Sequence, residues 1–397
     1  VKLPDAPWRK RTGMPRLLRA LGAGEGATRF VGGCVRDTLL GLPVSDIDLA
    51  TRLAPEEVLK RLEQAGIKAV PTGIAHGTVT AVIGGAPIEV TTLRRDVSTD
   101  GRRATIAFTE DWREDAARRD FTINALFADP AGSEVFDYFG GGADLKARRV
   151  RFIGEPLQRI AEDHLRILRF FRFHARFGRG APDAAALDAC AARANDLMAL
   201  SRERIADELL KLLGLPDPAP TVALMIARGI LGPVLPEIAS ADALAALVAA
   251  ERAAGIAPEP VRRLAALLPP DPEMAGAVAA RLRLSKRAAR RLVSAAERTL
   301  DAPEALAYRI GTAEAIDRFL LDGPPLPDLA ALEAWQRPRL AVSGGDLIAM
   351  GLKAGPVVAA TLQAIERDWA AAGFSGDTKE VRALARRHVD QALRSSQ

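Results

Sequence analysis

The chain has 397 residues, 48% apolar and 26% charged, with 55 Lys and Arg against 50 Asp and Glu and a net charge of +5. That length asks for more than one core, and the balance is that of a globular protein, not a disordered or fibrous one. Two cysteines (Cys34, Cys190) and four histidines without ligand spacing (His76, His164, His174, His388) exclude a disulfide framework and a Cys/His metal cluster. No apolar run is long enough to cross a bilayer, and the opening residues mix Lys2, Asp5, Arg9, Lys10 and Arg11 with prolines instead of a signal-peptide core. A cytoplasmic location without membrane contact is therefore expected. The positive charge permits a nucleic-acid partner without requiring one, and with 5% aromatics such a contact would run through backbone and shape more than stacking.

In chain order, Arg29–Gly33, Asp46–Thr51, Thr78–Ile83 and Ile88–Leu93 read as strands, with helices at Val35–Leu40 and Pro55–Gln64. The densest chemistry is Phe30-Val31-Gly32-Gly33-Cys34-Val35-Arg36-Asp37, then Leu39-Leu40-Gly41 and Asp46-Ile47-Asp48. A strand ending in two glycines before a helix lets a phosphate approach the backbone, and Arg36 can clamp a phosphate oxygen. Asp46 and Asp48, two apart on a strand, leave the same face, and paired carboxylates of this kind hold the metal ions that phosphoryl transfer uses. Glu89 on a neighbouring strand is either a third carboxylate, accepting the proton of an attacking hydroxyl, or an ordinary exposed residue. Residues 95–116, rich in both charges, including Asp100-Gly101-Arg102-Arg103, read as a surface loop.

Next come Ala117-Arg118-Arg119-Asp120-Phe121-Thr122-Ile123-Asn124-Ala125-Leu126 and Asp137-Tyr138-Phe139-Gly140-Gly141. From about Glu155 the pattern turns almost wholly helical. In the helix read across Glu162–Arg172, Ile160, Ile167, Leu168 and Phe171 share a core face, while Asp163, Arg166, Arg169 and Arg172 step by three along another. That polar row is either a salt-bridged solvent face or a reader of bases. An ionised Asp only accepts hydrogen bonds and an Arg only donates, so Asp163 with Arg166 fits the amino group and ring nitrogen of cytosine or adenine and mismatches uracil and guanine. Proline clusters at Pro216–Pro220, Pro269–Pro272 and Pro324–Pro327 punctuate the remainder, and Arg281–Arg291 and Arg382–Arg394 are basic stretches that fit either RNA phosphates or a solvated face.

The glycine-arginine motif followed by Asp-x-Asp resembles the class II (bacterial-type) tRNA nucleotidyltransferase and poly(A) polymerase family, and the match extends from residue 28 to about 211 through Ser201-Arg202-Glu203-Arg204-Ile205-Ala206-Asp207-Glu208-Leu209. Beyond that only Ser343-Gly344-Gly345-Asp346-Leu347 is similar to a tail element of relatives. The resemblance implies an α+β fold: a polymerase-β-like nucleotidyltransferase head with a small mixed sheet over 1–150, then an all-helical neck at 151–215, body at 216–325 and tail at 326–397. It implies Mg²⁺ on Asp46 and Asp48 and catalysis by these with Glu89. Nucleotide contacts fall to Gly33, Arg36, Arg119, Asp163, Arg166, Arg169 and Arg172. The expected reaction is addition of C, C and A to the 3′ end of tRNA from CTP and ATP. A poly(A) polymerase, a CC- or A-adding enzyme and a catalytically silent RNA-binding module are the alternatives.

Overall fold

Short β-branched and aromatic runs build a mixed sheet from the first third of the chain, seen in a computed structural model that describes residues 1–99 and 104–394. The strands are β1 (Thr28–Val31), β2 (Asp48–Thr51), β3 (Lys68–Gly73), β4 (Thr78–Ile83), β5 (Ala86–Thr92), β6 (Arg94–Thr99), β7 (Ala104–Phe108), β8 (Leu126–Ala128) and β9 (Val135–Asp137). Seven of them form one sheet in the order β3-β4-β5-β2-β1-β8-β9, and β6 pairs with β7 as a separate hairpin. Among the described strands only β2 and β5 run parallel, which sets Asp48 beside Glu89 in register. Alternation along β4 buries Val79, Ala81 and Ile83 on one face, as a half-buried strand requires.

Around the sheet lie α1 (Met14–Ala20), α2 (Gly33–Leu39), α3 (Pro55–Gln64), α4 (Trp112–Ala117) and α5 (Gly141–Lys146). The chain continues through α6 (Pro156–Glu162), α7 (Arg166–Phe177), α8 (Ala184–Ala192), α9 (Arg202–Leu213) and α10 (Ala219–Ala227). Val1–Leu212 with Thr221–Pro236 forms one compact unit; Leu213–Pro220 with Glu237–Gln397 forms the other. Gly141 has a packing reason for its identity: a Cβ there would stand 2.2 Å from the Thr122 carbonyl oxygen.

Three expectations are corrected. The helix read across Glu162–Arg172 is broken: α6 ends at Glu162, Asp163 is extended (φ −152°, ψ 106°), and α7 starts at Arg166. The break is stabilised locally, because the Asp163 carboxylate accepts the Leu165 N–H (3.1 Å), a side-chain bond that competes with helix propagation. Residues 95–116 are not a plain loop: they carry most of the β6–β7 hairpin and nearly all of α4, whose Trp112 and Asp115 are buried. The quoted run Asp100–Arg103 lies outside the described residues. Finally, β2 begins at Asp48, so Asp46 sits just before the strand and not on it.

The second unit is helical among its described residues, with α11 (Asp242–Ala254), α12 (Pro260–Leu267), α13 (Pro272–Arg281), α14 (Lys286–Glu297), α15 (Pro303–Ile310) and α16 (Thr312–Asp322). They are followed by α17 (Leu329–Ala334), α18 (Gly344–Ala349), α19 (Pro356–Ala371) and α20 (Thr378–Arg394). Leu306, Ile316, Phe319 and Leu320 centre one core, and Leu347, Ile365, Trp369, Val381 and Val389 another. Between α11, α12 and α16 lies a buried ionic group. Glu251 takes Arg262 (2.7 Å) and Arg263 (2.7 Å), and Arg262 also reaches Asp317 (3.1 Å). Ser343 and Asp346 form a capping box at α18, which gives that quoted motif a local structural role.

Candidate active site

At the end of β1 the chain turns on Gly32, whose φ of 71° and ψ of −122° no L side chain adopts comfortably. Gly33 then opens α2, and Arg36 follows one turn on. Arg36 is buried; its Nη1 donates to Asn124 Oδ1 (2.5 Å), its Nε donates to Asp37 (2.7 Å), and its guanidinium lies 4.1 Å from the Phe177 ring centroid. Burial lowers its pKa, yet a guanidinium stays charged at neutral pH, so a fixed cation faces the turn. Behind the turn, buried Cys34 donates its thiol to the Val31 carbonyl (3.4 Å), and burial pushes its pKa up to about 12, so it is a small packing residue.

A cavity of about 380 Å³ opens here. Gly32, Gly33, Arg36 and Asp48 line it from the sheet side, and Arg118, Arg119, Asp120 and Asn124 from the segment after α4. Asp163, Arg166, Arg169 and Phe173 complete the wall. Residues expected from the sequence to hold phosphate and to read a base thus share one pocket. Asp46, Glu89 and Arg172 are outside its lining.

The carboxylates form a graded set. Asp48 is pushed up to about 6 by burial first and then by Glu89 and Asp46, with Arg119 pulling the other way. Asp46 is exposed and accepts the Ser45 hydroxyl (2.8 Å). Among the described residues no three His, Cys, Asp or Glu side chains converge closely enough to hold an ion alone. Oxygen donors whose like charges push Asp48 up suit a hard divalent cation, and Mg²⁺ is usually held by one or two carboxylates together with substrate phosphates. The residues present fit that mode.

The arginines are placed by acids that the sequence reading did not pair with them. Arg119 bonds Asp115 (3.0 Å), not the adjacent Asp120, which holds Arg169 (2.6 Å). Burial raises Asp120, but Arg169, Asn124 and the Phe121 N–H outweigh it and hold the carboxyl below its ordinary range. Arg172 is spent on Glu208 (2.6 Å). Asp163 and Arg166 do not pair with each other: Arg204 takes both Asp163 oxygens (3.1 and 2.9 Å), while Arg166 bonds Glu162 (2.6 Å) and the carbonyls of Arg159 (2.8 Å) and Arg118 (3.2 Å). Those three bonds leave Arg166 two of the five N–H groups that a guanidinium carries.

Lining residues Arg118, Asp120, Asn124 and Phe173 were missed from the sequence. Arg118, Asp120 and Asn124 stand inside one motif of the sequence, so their signal was present; Phe173 reads as one more core aromatic of α7.

Comparison with known proteins agrees with this geometry. A family model described as the poly A polymerase head domain matches residues 28–151, and one described as a probable RNA and SrmB-binding site of polymerase A matches 182–242. The mouse (Mus musculus) mitochondrial CCA tRNA nucleotidyltransferase 1 is 34% identical over 377 residues, covering 89% of this chain and 85% of that protein. The chain belongs to the CCA tRNA nucleotidyltransferase family. A CCA-adding enzyme of Streptococcus pyogenes is 40% identical over 229 residues (57% of this chain, 55% of that one). The Bacillus stearothermophilus CCA-adding enzyme, solved in complex with CTP, superposes with a TM-score of 0.76 at 29% identity, covering 96% of this chain and 99% of that one. The segment with Asp163, Arg166, Arg169 and Arg172 falls between the two matched regions of this family member. No helix among the described residues is long and apolar enough to cross a membrane.

Proposed function

We infer that this chain adds C, C and A to the 3′ end of tRNA from CTP and ATP, releasing pyrophosphate. One observation carries the reading: the glycine turn, Arg36, Asp48 and Arg119 line the same cavity as Asp163 and Arg166, so a nucleotide's phosphates and base can be held at once. In this reading residues 1–150 supply catalysis and 151–215 base selection, while 216–325 and 326–397 bind RNA.

Gly33 admits the triphosphate close to the backbone, and Arg36 and Arg119 hold its oxygens. Asp46 and Asp48 would hold Mg²⁺, which when bound supplies charge neutralisation at the reacting phosphate. The RNA 3′-oxygen forms a bond to the α-phosphorus, the bond from that phosphorus to the bridging oxygen of the β-phosphate breaks, and pyrophosphate leaves in line. Glu89, register-paired with Asp48, accepts the hydroxyl proton. Asp163 accepts from the base's amino group and Arg166 donates to its ring nitrogen, which admits C and A and refuses U and G. Arg169 and Arg172, held by Asp120 and Glu208, keep the neck in place beside the nucleotide.

A cytoplasmic location belongs to this proposal, although the mouse relative is named mitochondrial; cell fractionation checks it. The deciding assay gives the purified chain a tRNA transcript that ends at the discriminator base. CTP alone should extend it by two residues, and CTP with ATP by three, followed by a stop. A long adenylate ladder would point to a poly(A) polymerase, and tRNA binding without incorporation to a silent module.

A further inference from the structure

α4 carries a carboxylate for which the reaction as written has no use. Asp115 is 1% exposed and meets three donors: Arg118 Nε at 2.8 Å, Arg119 Nη2 at 3.0 Å and the backbone N–H of Arg94, the first residue of β6, at 3.2 Å. A buried charge is tolerated only when paired and hydrogen-bonded, and here both oxygens are used. Burial raises the carboxyl's pKa, and the two guanidiniums more than reverse that, so Asp115 is ionised at neutral pH.

The two arginines it holds both line the cavity. Arg119 reaches from Asp115 to the glycine turn, where a Cβ on Gly32 would stand 3.5 Å from its Nη1. Its Nε is buried with no partner among the described residues, so it is the Nη1 end that faces the turn. The backbone of the same dipeptide is fixed from the other side: Arg159 Nη2 donates to the carbonyls of Arg118 (2.7 Å) and Arg119 (2.6 Å). Side chains and main chain are therefore both clamped, in the manner that a preorganised anion site requires.

We propose that Asp115 is a positioning residue for the nucleotide triphosphate: it aims Arg118 and Arg119 at the phosphates and anchors the root of the β6–β7 hairpin to them. This rests on the reading of the cavity as the CTP and ATP site. Because phosphates are common to both substrates, Asp115 acts on CTP and ATP alike and has no part in base choice.

The test compares wild type with Asp115→Asn and Asp115→Glu, the latter keeping the charge in case the amide fails to fold. The readouts are KM and kcat for CTP and ATP on a tRNA transcript lacking CCA, inhibition by inorganic tripolyphosphate, and the melting temperature. Expected for Asp115→Asn is a rise in KM of about tenfold for both nucleotides, the factor typical of losing a hydrogen bond between charged groups. An equal weakening of tripolyphosphate inhibition and preserved rejection of UTP and GTP should accompany it, and Asp115→Glu should fall between it and wild type. Unchanged KM and tripolyphosphate inhibition in whichever variant folds, with only the melting temperature lowered, would make Asp115 purely structural and overturn the proposal. A shift confined to one nucleotide would overturn it too. If wild type used neither CTP nor ATP, the functional reading itself would fall, and this inference with it.

Discussion

Arg204 of α9 grips Asp163 with one nitrogen, Nη2, at 3.1 and 2.9 Å from its two carboxylate oxygens. The contact holds the extended residue that ends α6, the first of the three between α6 and α7, and it fixes the carboxylate that the proposed mechanism turns toward the base. Arg204→Ala should therefore loosen discrimination against UTP and GTP. Both partners are about a third exposed, so the stability loss should stay within about 1 kcal/mol. Competition assays with all four nucleotides, beside urea unfolding, check both parts; a large stability loss with intact selectivity would make the pair a brace alone.

Replacing both proposed base readers, Asp163→Ala with Arg166→Ala, should relax base choice more than it slows incorporation of CTP. The Arg166 change also takes a donor from Glu162 and from the carbonyls of Arg159 and Arg118, so some destabilisation should accompany it. Single-turnover rates with each nucleotide separate the two effects. Selectivity that survived in a less stable protein would return the polar row to a salt-bridge role.

Asp48→Asn, and separately Asp46→Asn, should abolish incorporation of CTP and ATP together while tRNA affinity stays within a few-fold, since one set of metal ligands would serve both substrates. Mg²⁺ omission or chelation should reproduce the loss in wild type. A variant that lost a single nucleotide would contradict shared ligation.

What was legible in the sequence was the chemistry that needs a fixed local pattern. Gly32, Gly33 and Arg36 sit on one turn, and Asp48 and Glu89 are each recognisable on a strand, so composition and spacing sufficed. The break at Asp163 was hidden because its cause is partly tertiary: Arg204 lies far along the chain, and Ile160, Ile167 and Leu168 keep helical spacing across the gap. The β6–β7 hairpin was hidden by its charges, as Arg94, Arg95 and Asp96 resemble a loop in composition. Arg262 and Arg263 were unreadable as core, since an arginine is buried only where partners such as Glu251 and Asp317 arrive from other helices.

Stability in acid has a definite sign at Asp120. Its folded pKa lies below the ordinary aspartate value, so the stabilisation is fully present above the unfolded pKa of about 3.9 and is lost as pH falls through the folded value. Asp120→Asn should cost about 3 kcal/mol at pH 7, where Arg169 loses its nearer charged partner and keeps Glu208 at 3.7 Å. The gap from wild type should narrow below pH of about 4. Urea unfolding at several pH values measures this; a gap independent of pH would show that volume or hydrogen bonding, not charge, carries the effect.

The second unit offers a stability test remote from the chemistry in sequence. Glu251 is 2% exposed and accepts from both Arg262 and Arg263, themselves 2% and 1% exposed. Arg263 also donates to the Leu213 carbonyl at 2.6 Å, so it ties α12 to the end of α9. Glu251→Ala would strand two buried guanidiniums, one of which, Arg262, keeps Asp317 as a partner while Arg263 keeps only carbonyls. Removing one member of a buried ion pair typically costs about 3–5 kcal/mol. The expected result is a loss of that size in unfolding free energy, with KM for CTP and ATP unchanged in the folded fraction. Glu251→Gln keeps an acceptor for one arginine and should lose less. A neutral Glu251→Ala would mean that solvent or a shifted Asp317 reaches the arginines, and the ionic group would then have no hold on the fold.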